Sequence, residues 1–482
     1  MSDPTYGGFF SNQGMALFKQ TLIDNDQMVE ATRRQLMTRA NSAYAGDDLI
    51  INRPLKVESG KPDDNVALNY AELVVDKGVA FLFGQDLKID IGEATETGES
   101  DQEAYLEEVW PEDIRAEDLV DLATNGGIFG HVWAKIAVEN NVPSVVIGDP
   151  ECYTAEWAPD NYKKVVRYLN TYRTTVEGKS VMRRENTYQV SPQAWQIDLE
   201  QSTAESPTWT VIESYPWPFP FPPVVQCKNL PTPNQFYGKA DLTKHVLSLM
   251  YYINRVNSLI NRIVRSHAAP KPIATGQAKT EMEMGTDKML FLPNPNAKIQ
   301  LLEMTGDLEQ ARNFRKDLRE ALAEITHVPE VTTGKTENVG QLSGRAMRIL
   351  YGPLTDQTAK KRRLYGRLIK QLVGNLLVIG GKAGAAPGAN GGQKVKVNVH
   401  WGDALPADEK EQAEVAVLKK QVGFSNDTLI SELGGDPDTE RTQRASDADE
   451  AAANFMNTLD KGTAGGGLPG SGANGDRNLP AA

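Results

Sequence analysis

The residues whose types come nearest to a nucleotide site stand at Pro329–Thr336, which read PEVTTGKT. A phosphate-binding loop needs Gly-x4-Gly-Lys-Ser/Thr, because its glycines bring backbone N–H groups to the phosphates and its lysine reaches the terminal phosphate. Here Pro329 replaces the first glycine, no strand pattern precedes the segment, and no helix pattern opens directly after Thr336. The segment therefore favours a flexible loop over a nucleotide site.

Other catalytic patterns are also incomplete. The histidines lie far apart, without an HExxH or His-x-Glu pairing, so surface or core positions explain them better than metal ligation. They are His131, His245, His267, His327 and His400. No Gly-x-Ser-x-Gly elbow occurs. Acidic pairs such as Glu107-Glu108 and Asp408-Glu409 favour solvated helix faces over metal sites. We therefore expect no catalytic residue, no metal site and no cofactor.

The strongest local signal is a glycine-bearing loop, Asn338–Gly344, followed by a basic helical run. From Arg345 to Lys370 the chain carries Arg345, Arg348, Lys360, Lys361, Arg362, Arg363, Arg367 and Lys370 against the single acid Asp356. The formal net charge of the whole chain is −13. Such a local reversal indicates that the run faces an anionic partner or pairs with acids elsewhere in an assembly.

The composition is that of a soluble globular protein of two to four domains. The chain has 482 residues, of which 40% are hydrophobic and 24% charged. Cys152 and Cys227 are too few for a disulfide framework and are interpreted as buried thiols in a reducing compartment. The absence of a signal-peptide pattern or a long apolar run predicts a protein kept in a cytoplasm.

The acidic balance argues against a protein that simply coats nucleic acid, which would carry a basic excess. It leaves open a protein that surrounds nucleic acid without gripping it, because few counterions are released on contact with an acidic wall.

The first half of the chain changes from helix to sheet. Hydrophobic periodicity predicts helices over Asn65–Gly84 and Glu117–Gly130, with a terminal glycine at each. Short apolar runs between polar turns, from His131 to about Val225, predict a mostly antiparallel β region. The proline-rich Tyr215–Pro223 predicts a rigid extended connector that is neither helix interior nor central strand.

The aromatic side chains Trp217, Phe219 and Phe221 within this connector are open to two interpretations. They suit a stacking platform for single-stranded nucleic acid. Packing between domains is the interpretation that we favour.

The clearest periodic signal follows the connector. Apolar residues alternate at spacings of four and three: Leu242, Val246, Leu249, Ile253, Val256, Ile260 and Ile263. This narrow stripe predicts a helix packed against neighbouring helices, with Asn254, Asn257 and Ser258 off the stripe and Asp241 near the positive end of the helix dipole. A second helix is predicted at 307–326, and the intervening 268–306 reads as a small β insertion.

The remaining chain predicts one long helix and a helical end. A helix from Arg345 to Ile379 would be about 50 Å long, and Gly352-Pro353 should kink or break it. A strand is predicted over Lys394–Trp401, followed by an acidic helical region, Ala407–Phe455. From Lys461 the glycine-rich composition predicts disorder.

In this order the chain resembles the portal proteins, or head–tail connectors, of tailed bacteriophages. The resemblance covers about residues 20 to 455 and rests on four short patterns. Phe81-Leu82-Phe83-Gly84 is similar to the family's "YLFG-x-P" turn, although Asp86 stands where proline is common. Gly126–Val138 resembles the helix-to-strand start of the family's wing. Tyr237–Leu242 resembles its "G-x-S-D-L" start of a stem helix, with Ala240 in place of serine. Asn338–Ala346 resembles its "N-x-SG-x-A" motif.

The resemblance implies an α+β portal-type fold with a mixed α/β wing, a long-helix stem, a small β-rich clip and a helical crown, assembled as a ring. The implied parts are the wing (1–238 with 380–402), the stem helices (239–267 and 307–329), the clip (268–306), the tunnel loop and long tunnel helix (330–379), the crown (403–460) and a disordered tail (461–482).

The resemblance also implies where partners meet the chain. DNA would face the tunnel loop and the start of its helix: Lys335, Thr336, Glu337, Asn338, Val339, Gly340, Gln341, Leu342, Ser343, Gly344 and Arg345. The heptad residues would pack the stem, and Lys271, Lys279 and Lys288 of the clip would help dock a partner. Most of the basic run is expected to pair with acidic surfaces of the Glu107-Glu108 type on the next subunit, because a strongly attractive tunnel would stall DNA.

The implied function is a non-enzymatic ring of about twelve subunits at one capsid vertex, for packaging and ejection of double-stranded viral DNA. Its implied partners are the terminase motor, a head–tail adaptor, and the capsid and scaffolding proteins; no membrane is involved. The protein would reside in the virion after assembly in the host cytoplasm. Two alternatives are another structural virion protein, such as a capsid or adaptor protein, and a nucleotide-dependent enzyme of nucleic acids.

Overall fold

A computed structural model describes most of the chain. The described residues are 30–47, 53–57, 59, 63–92, 101–140, 142–203, 207–268, 272–275, 298–301, 308–329, 344–383, 396–403, 409–432, 440–444 and 446. The chain divides into two compact units, Met1–Leu405 and Pro406–Ala482.

Helices dominate the start of the first unit. They are α1 (30–45), α2 (Tyr70–Phe83), α3 (Asp101–Val109) and α4 (Glu112–Phe129), with the short strand β1 (Leu87–Ile91) after α2. The side chain of Asn69 accepts a hydrogen bond from the Glu72 amide and so caps α2. Both predicted glycine ends are confirmed, since α2 stops before Gly84 and α4 stops before Gly130, which has a left-handed φ of 81°.

The predicted antiparallel region is confirmed as two sheets. The smaller has the order β3-β2-β9, formed by β2 (His131–Glu139), β3 (Val142–Gly148) and β9 (Val224–Lys228). The larger is a meander of neighbours in chain order, β4 (Tyr153–Ala158), β5 (Asn161–Val176), β6 (Lys179–Ser191), β7 (Ala194–Ser202) and β8 (Thr210–Trp217).

The proline-rich segment differs from its prediction as a connector. Strand β8 runs through Pro216 to Trp217, and the sheet tolerates this proline because β8 lies at the sheet edge, beside β7 alone. Trp217 and Phe219 are buried against each other, and the Trp217 indole donates a 2.7 Å hydrogen bond to the Phe221 carbonyl. These rings therefore serve packing, and their burial contradicts a stacking platform for bases.

Two helices then flank a β hairpin. They are α5 (Lys244–Ala268) and α6 (Leu308–Thr326), which pack against each other. Between them β10 (Pro272–Thr275) pairs antiparallel with β11 (Lys298–Leu301). The predicted helix–insertion–helix order is thus present in the part of the chain that the structure describes.

The long helix α7 (Gly344–Ala383) continues through Gly352-Pro353, so of the predicted kink or break the break is wrong. The flanking Tyr351 and Leu354 are both buried, so packing on either side offsets the hydrogen bond that Pro353 cannot donate. Beyond α7, strand β12 (Val397–Trp401) pairs antiparallel with β1, with Ile89 opposite Val399. This pairing returns the chain to its own N-terminal helices.

One hydrophobic core joins these elements. The buried face of α7 lies at its centre, and the fully buried members of that face include Tyr365, Leu368, Ile369, Leu372, Val373, Leu376, Leu377 and Ile379. In the second unit the structure describes α8 (Glu409–Val422) and α9 (Asn426–Glu432), which agree with the predicted helical character of that region.

Candidate functional surface on the long helix

Most of the residues predicted to contact DNA or a docking partner lie outside the described part of the chain. These are Lys335 to Ser343 of the tunnel loop and the clip residues Lys271, Lys279 and Lys288. The backbone of Gly344 and Arg345 forms the first turn of α7. These assignments therefore remain predictions, and the described surface lies further along α7 and around α5.

The predicted heptad residues occupy a range of burial. Leu242, Val246 and Ile253 are buried, whereas Leu249, Val256, Ile260 and Ile263 are half-buried. Leu242 precedes the helix, which begins at Lys244. On the same helix Tyr252 is 53% exposed, and on α6 Phe314 and Ile325 are 55% and 52% exposed.

Three polar residues of α5 are buried, contrary to their predicted place off the packing face. Asn254, Asn257 and Ser258 are almost inaccessible. The side chain of Asn254 accepts a 3.2 Å hydrogen bond from the Leu68 amide and donates a 3.1 Å bond to the Leu68 carbonyl, while Ser258 accepts a 3.0 Å bond from the Val66 amide. Polar side chains are buried here because they complete the hydrogen bonds of an extended backbone, which also explains why α2 starts at Tyr70 and not at Asn65.

A buried carboxylate ends this contact between α5 and the extended segment. The side chain of Asp64 accepts hydrogen bonds from Arg262 at 3.1 Å and Arg265 at 2.6 Å. Its own side chain is 3% exposed, while both arginines are more than a third exposed. Because the acid is desolvated and the arginines reach it from solvent, this cluster fixes the segment before α2 on the outer turns of α5.

A second buried ion pair anchors α7. Lys361 Nζ lies 2.5 Å from Asp241 Oδ2, and the two side chains are 5% and 6% exposed. The other carboxylate oxygen of Asp241 accepts hydrogen bonds of 3.2 Å from the amide groups of Asn229 and Gln357. Asp241 therefore binds side chains of its neighbours, and its predicted interaction with the α5 dipole stays a prediction. The Thr243 hydroxyl caps α5, since it accepts a 3.4 Å hydrogen bond from the Val246 amide.

The polar anchor extends to the end of α4. Tyr365 Oη donates a 3.1 Å hydrogen bond to Asn229 Oδ1, and burial raises the pKa of Tyr365 well above its ordinary value. A Cβ on Gly126 would lie only 1.9 Å from that Tyr365 oxygen, so only glycine admits the ring here. The backbone amide of Asp241 donates to the Gly127 carbonyl at 2.8 Å. Helix α4, the start of α5 and helix α7 thus meet at one desolvated polar cluster.

Arg362 has a role in its own chain as well. Its guanidinium donates a 2.8 Å hydrogen bond to the Gly402 carbonyl and lies 5.3 Å from the centre of the Trp401 ring. Burial lowers the pKa of Arg362. Lys361 and Arg362 therefore bind partners in their own chain, while the expected intersubunit pairing of the rest of the basic run stays a prediction.

The remaining basic residues in the middle of α7 form an exposed stripe. Lys360, Arg363, Arg367 and Lys370 follow spacings of three, four and three, which places them on one helix face. All four are exposed, and within the described ranges no ion pair joins any of them to an acid. The sequence showed the excess of basic residues but not which of them are buried and which are exposed, because the buried partner Asp241 is distant along the chain.

A cavity of about 520 Å³ lies beside this stripe. Its walls include Leu364, Arg367 and Leu368 of α7 and Cys227 and Lys228 of β9. Lys163 and Tyr162 complete the rim, and the Lys228 ammonium lies 5.4 Å from the centre of the Tyr162 ring. Burial and the charge of Lys163 lower the pKa of Lys228. The cavity thus combines an apolar wall with a cationic rim, a combination suited to an anionic ligand that also carries apolar surface.

The described residues show no constellation for catalysis. His131 is buried among Trp133, Phe236 and Tyr237, and burial lowers its pKa to about 3. His400 forms a 2.8 Å contact with Asp90 at the surface. Cys152 and Cys227 are free and only half-buried, in contrast to their predicted burial. In the described portion no group of three or more His, Cys, Asp or Glu side chains is placed to hold a metal ion.

Among the described helices, none combines the length and the apolar character that crossing a bilayer requires.

No curated protein matches the chain. Three solved structures are similar at low identity. "Neck of empty GTA particle computed with C6 symmetry" is 14% identical, with a TM-score of 0.46, and covers 76% of this chain and 90% of that chain. "Neck of native GTA particle computed with C12 symmetry" is 12% identical, with a TM-score of 0.41, and covers 76% and 88%. "Virion of native gene transfer agent (GTA) particle" is 13% identical, with a TM-score of 0.43, and covers 83% and 99%.

The family model described as "Phage portal protein, SPP1 Gp6-like" matches residues 25–454. This match spans both flanking helices, the β insertion, the basic helix α7 and most of the second unit. The chain therefore belongs to the SPP1 Gp6-like family of phage portal proteins.

Proposed function

We propose that the chain is the subunit of a portal ring, through which double-stranded DNA enters a virus-like particle during packaging and leaves it at ejection. The observation that carries this proposal is the family match over residues 25–454. About twelve copies close the ring at one vertex of the capsid. The ring performs no catalysis of its own, and it binds neither metal nor cofactor.

The described surface supports assembly into a ring. Tyr252 on α5 and Phe314 and Ile325 on α6 are more than half exposed, although a monomer gains nothing from leaving such side chains in water. The half-buried Val256, Ile260 and Ile263 continue the same apolar surface along α5. Contact between the helix pairs of neighbouring subunits would remove this surface from water.

The division of parts follows the chain order. Helices α5 and α6 form the stem, and the hairpin β10–β11 lies in the clip, where the terminase motor and later the head–tail adaptor dock. Residues 335–345 form the tunnel loop and the start of its helix, which face the DNA. The second unit contains the crown. The capsid and scaffolding proteins contact the outside of the ring, which is built in the host cytoplasm and kept in the virion.

The overall acidity of the chain supports passage of DNA over firm binding. A formal net charge of −13 gives the subunit little tendency to condense onto phosphates. Two of the basic residues of α7, Lys361 and Arg362, bind partners within the chain. The positive charge that remains exposed in the middle of α7 lies on one stripe.

The test is particle assembly with and without this protein. Particles that lack it should form shells without DNA, and supplying the protein should restore nuclease-protected DNA of full length. Normal DNA content without the protein would contradict the proposal. ATP hydrolysis by the purified protein that is lost in Lys335→Ala would instead support the enzyme alternative, and growth of the pure protein into shells would support the capsid alternative.

A further inference from the structure

A surface on α4 complements the cationic cavity beside α7 in charge and in apolar character. On α4, Asp113, Glu117 and Asp121 lie at spacings of four residues and are exposed. The same face carries Ile114 and Val120, which are 54% and 41% exposed. At about 100° per residue these five positions fall on one side of the helix. We name this surface the acidic face.

The acidic face is unused within the described parts of its own chain. No described ion pair involves Asp113, Glu117 or Asp121. By contrast, the neighbouring Glu107 interacts locally, because it accepts a 2.7 Å hydrogen bond from the Glu112 amide and lies 3.5 Å from Arg115. The exposed acids keep this surface soluble, and a partner that covered Ile114 and Val120 would remove two apolar side chains from water.

The cavity beside α7 offers the opposite character. Its rim carries the cations Lys163, Lys228 and Arg367, and its wall carries Leu364, Leu368 and Phe236. The exposed stripe continues this positive surface through Lys360, Arg363 and Lys370. Lys228 is held in place, since its ammonium donates a 3.1 Å hydrogen bond to the Thr232 carbonyl and a second to the Gln235 carbonyl. Lys163 and Arg367 are exposed and free to reach a partner.

We infer that the occupant of this cationic cavity is the acidic face of α4 from a second copy of the chain. Ile114 or Val120 would enter the apolar part of the cavity while the carboxylates of Glu117 and Asp121 meet Lys163 and Arg367. In this contact the apolar side chains meet at the centre, and the acids of one copy meet the basic residues of the other around them. An apolar centre within a polar rim of complementary charge is the usual composition of a specific protein interface.

Such a contact joins two different surfaces of identical subunits. It is therefore heterologous, and repetition of a heterologous contact with a closing rotation produces a ring. The inference rests on the proposed function, because it applies only if the chain assembles into a ring. It names two surfaces that hold the ring together. It also gives the basic stripe a protein partner, so that α7 need not grip the passing DNA.

The experiment is a charge swap in the full-length chain. One variant carries Glu117→Lys and Asp121→Lys, and the other carries Lys163→Glu and Arg367→Glu. All four side chains are exposed, so each variant should fold, which its circular dichroism and thermal unfolding verify. Light scattering across a dilution series then measures assembly. Each variant alone should need at least about tenfold more protein for half-assembly, because like charges now oppose each other.

Two combinations should restore the contact. A chain with all four substitutions pairs lysines with glutamates, so it should assemble at concentrations near those of the unaltered chain. An equimolar mixture of the two variants should also form rings, because alternating subunits then present opposite charges at every contact. Rescue of this kind requires that the two surfaces touch.

A matched control carries Glu177→Lys and Glu213→Lys at exposed positions of the larger sheet, with the same change of net charge as the Glu117→Lys and Asp121→Lys variant. It should assemble normally. If the unaltered chain forms no rings, the proposed function fails. If the unaltered chain forms rings and the two charge variants do so equally well, only this inference is overturned. If the Lys163→Glu and Arg367→Glu variant forms normal rings but retains less DNA, the cationic cavity contacts DNA and the inference is likewise wrong.

Discussion

Replacing Lys361 with methionine tests the anchor of the long helix. Lys361 and Asp241 are 5% and 6% exposed, and their charged atoms lie 2.5 Å apart. Lys361→Met keeps the length of the side chain but leaves the Asp241 carboxylate buried without its cation. The amide groups of Asn229 and Gln357 still donate hydrogen bonds of 3.2 Å to that carboxylate. They supply partial charges only, so most of the lost stabilisation is not replaced.

The expected loss is about 3–5 kcal/mol in the free energy of unfolding, the usual effect of removing one partner of a buried ion pair. Unit Met1–Leu405 has an unfolding entropy of about 2.1 cal/mol/K per residue, so the lower end of that range corresponds to a fall in Tm of about 3–4 °C. All seven tryptophans belong to the first unit, Met1–Leu405. Tryptophan fluorescence in a urea titration therefore measures the unfolding of the unit that contains the pair.

The adjacent lysine provides a matched control. Lys360 is exposed and has no described acidic partner, so Lys360→Met should change the free energy of unfolding by less than about 0.5 kcal/mol. The double variant Asp241→Asn with Lys361→Met removes both charges and should recover most of the loss, since a neutral amide can keep the bonds from Asn229 and Gln357. The reasoning is refuted if Lys361→Met costs no more than Lys360→Met.

Four further predictions concern packing, assembly and pH. Gly126→Ala should lower the free energy of unfolding by at least about 2 kcal/mol, because the added methyl group displaces the Tyr365 ring. The control Gly374→Ala, whose methyl group meets no atom within 4 Å, should raise the free energy of unfolding by about 0.5–1 kcal/mol. Equal effects of the two variants in urea titrations would contradict the close approach of Tyr365 to Gly126. Val256→Asp should abolish assembly in light scattering by placing a charge on the half-buried face of α5, and normal rings would show that this face is not a subunit contact. Burial lowers the pKa of His131 to about 3. Below about pH 6.5 the unfolded state therefore binds a proton that the folded state does not, so the free energy of unfolding falls by up to about 1.4 kcal/mol per pH unit until the folded pKa is reached. His131→Phe should flatten that part of the pH profile, and an unchanged slope would exclude His131 as its source. Deletion of Gly340–Ser343 should leave rings intact but reduce packaged DNA, and normal packaging would remove this loop from the channel.

Regular periodicity explains why much of the fold was predictable. The helices α5 and α6, the intervening β hairpin and the antiparallel region after His131 all follow from apolar spacing, glycine ends and polar turns. These signals are local, so they survive without any knowledge of the tertiary contacts. The two prolines that misled the prediction, Pro216 and Pro353, are tolerated for tertiary reasons, namely an edge strand and buried neighbours.

The polar contacts could not be predicted in the same way. Asn254 and Ser258 bind the backbone of residues 66–68, almost two hundred positions earlier. Lys361 finds Asp241 across more than a hundred residues. A polar residue at a helical spacing reads as solvent-facing unless its distant partner is known, and charge alone does not distinguish a buried lysine from an exposed one. The sequence predicted the basic run. Only the structure shows that Lys361 is buried as an anchor whereas the neighbouring basic residues form an exposed stripe.

Electron microscopy of the purified protein tests the central claim most directly. Class averages of the unaltered chain should show closed rings with a central hole and about twelvefold symmetry, built from subunits of 52.9 kDa. Compact monomers or dimers, at concentrations where the unaltered chain stays folded, would contradict the claim that this chain forms a DNA-conducting portal ring.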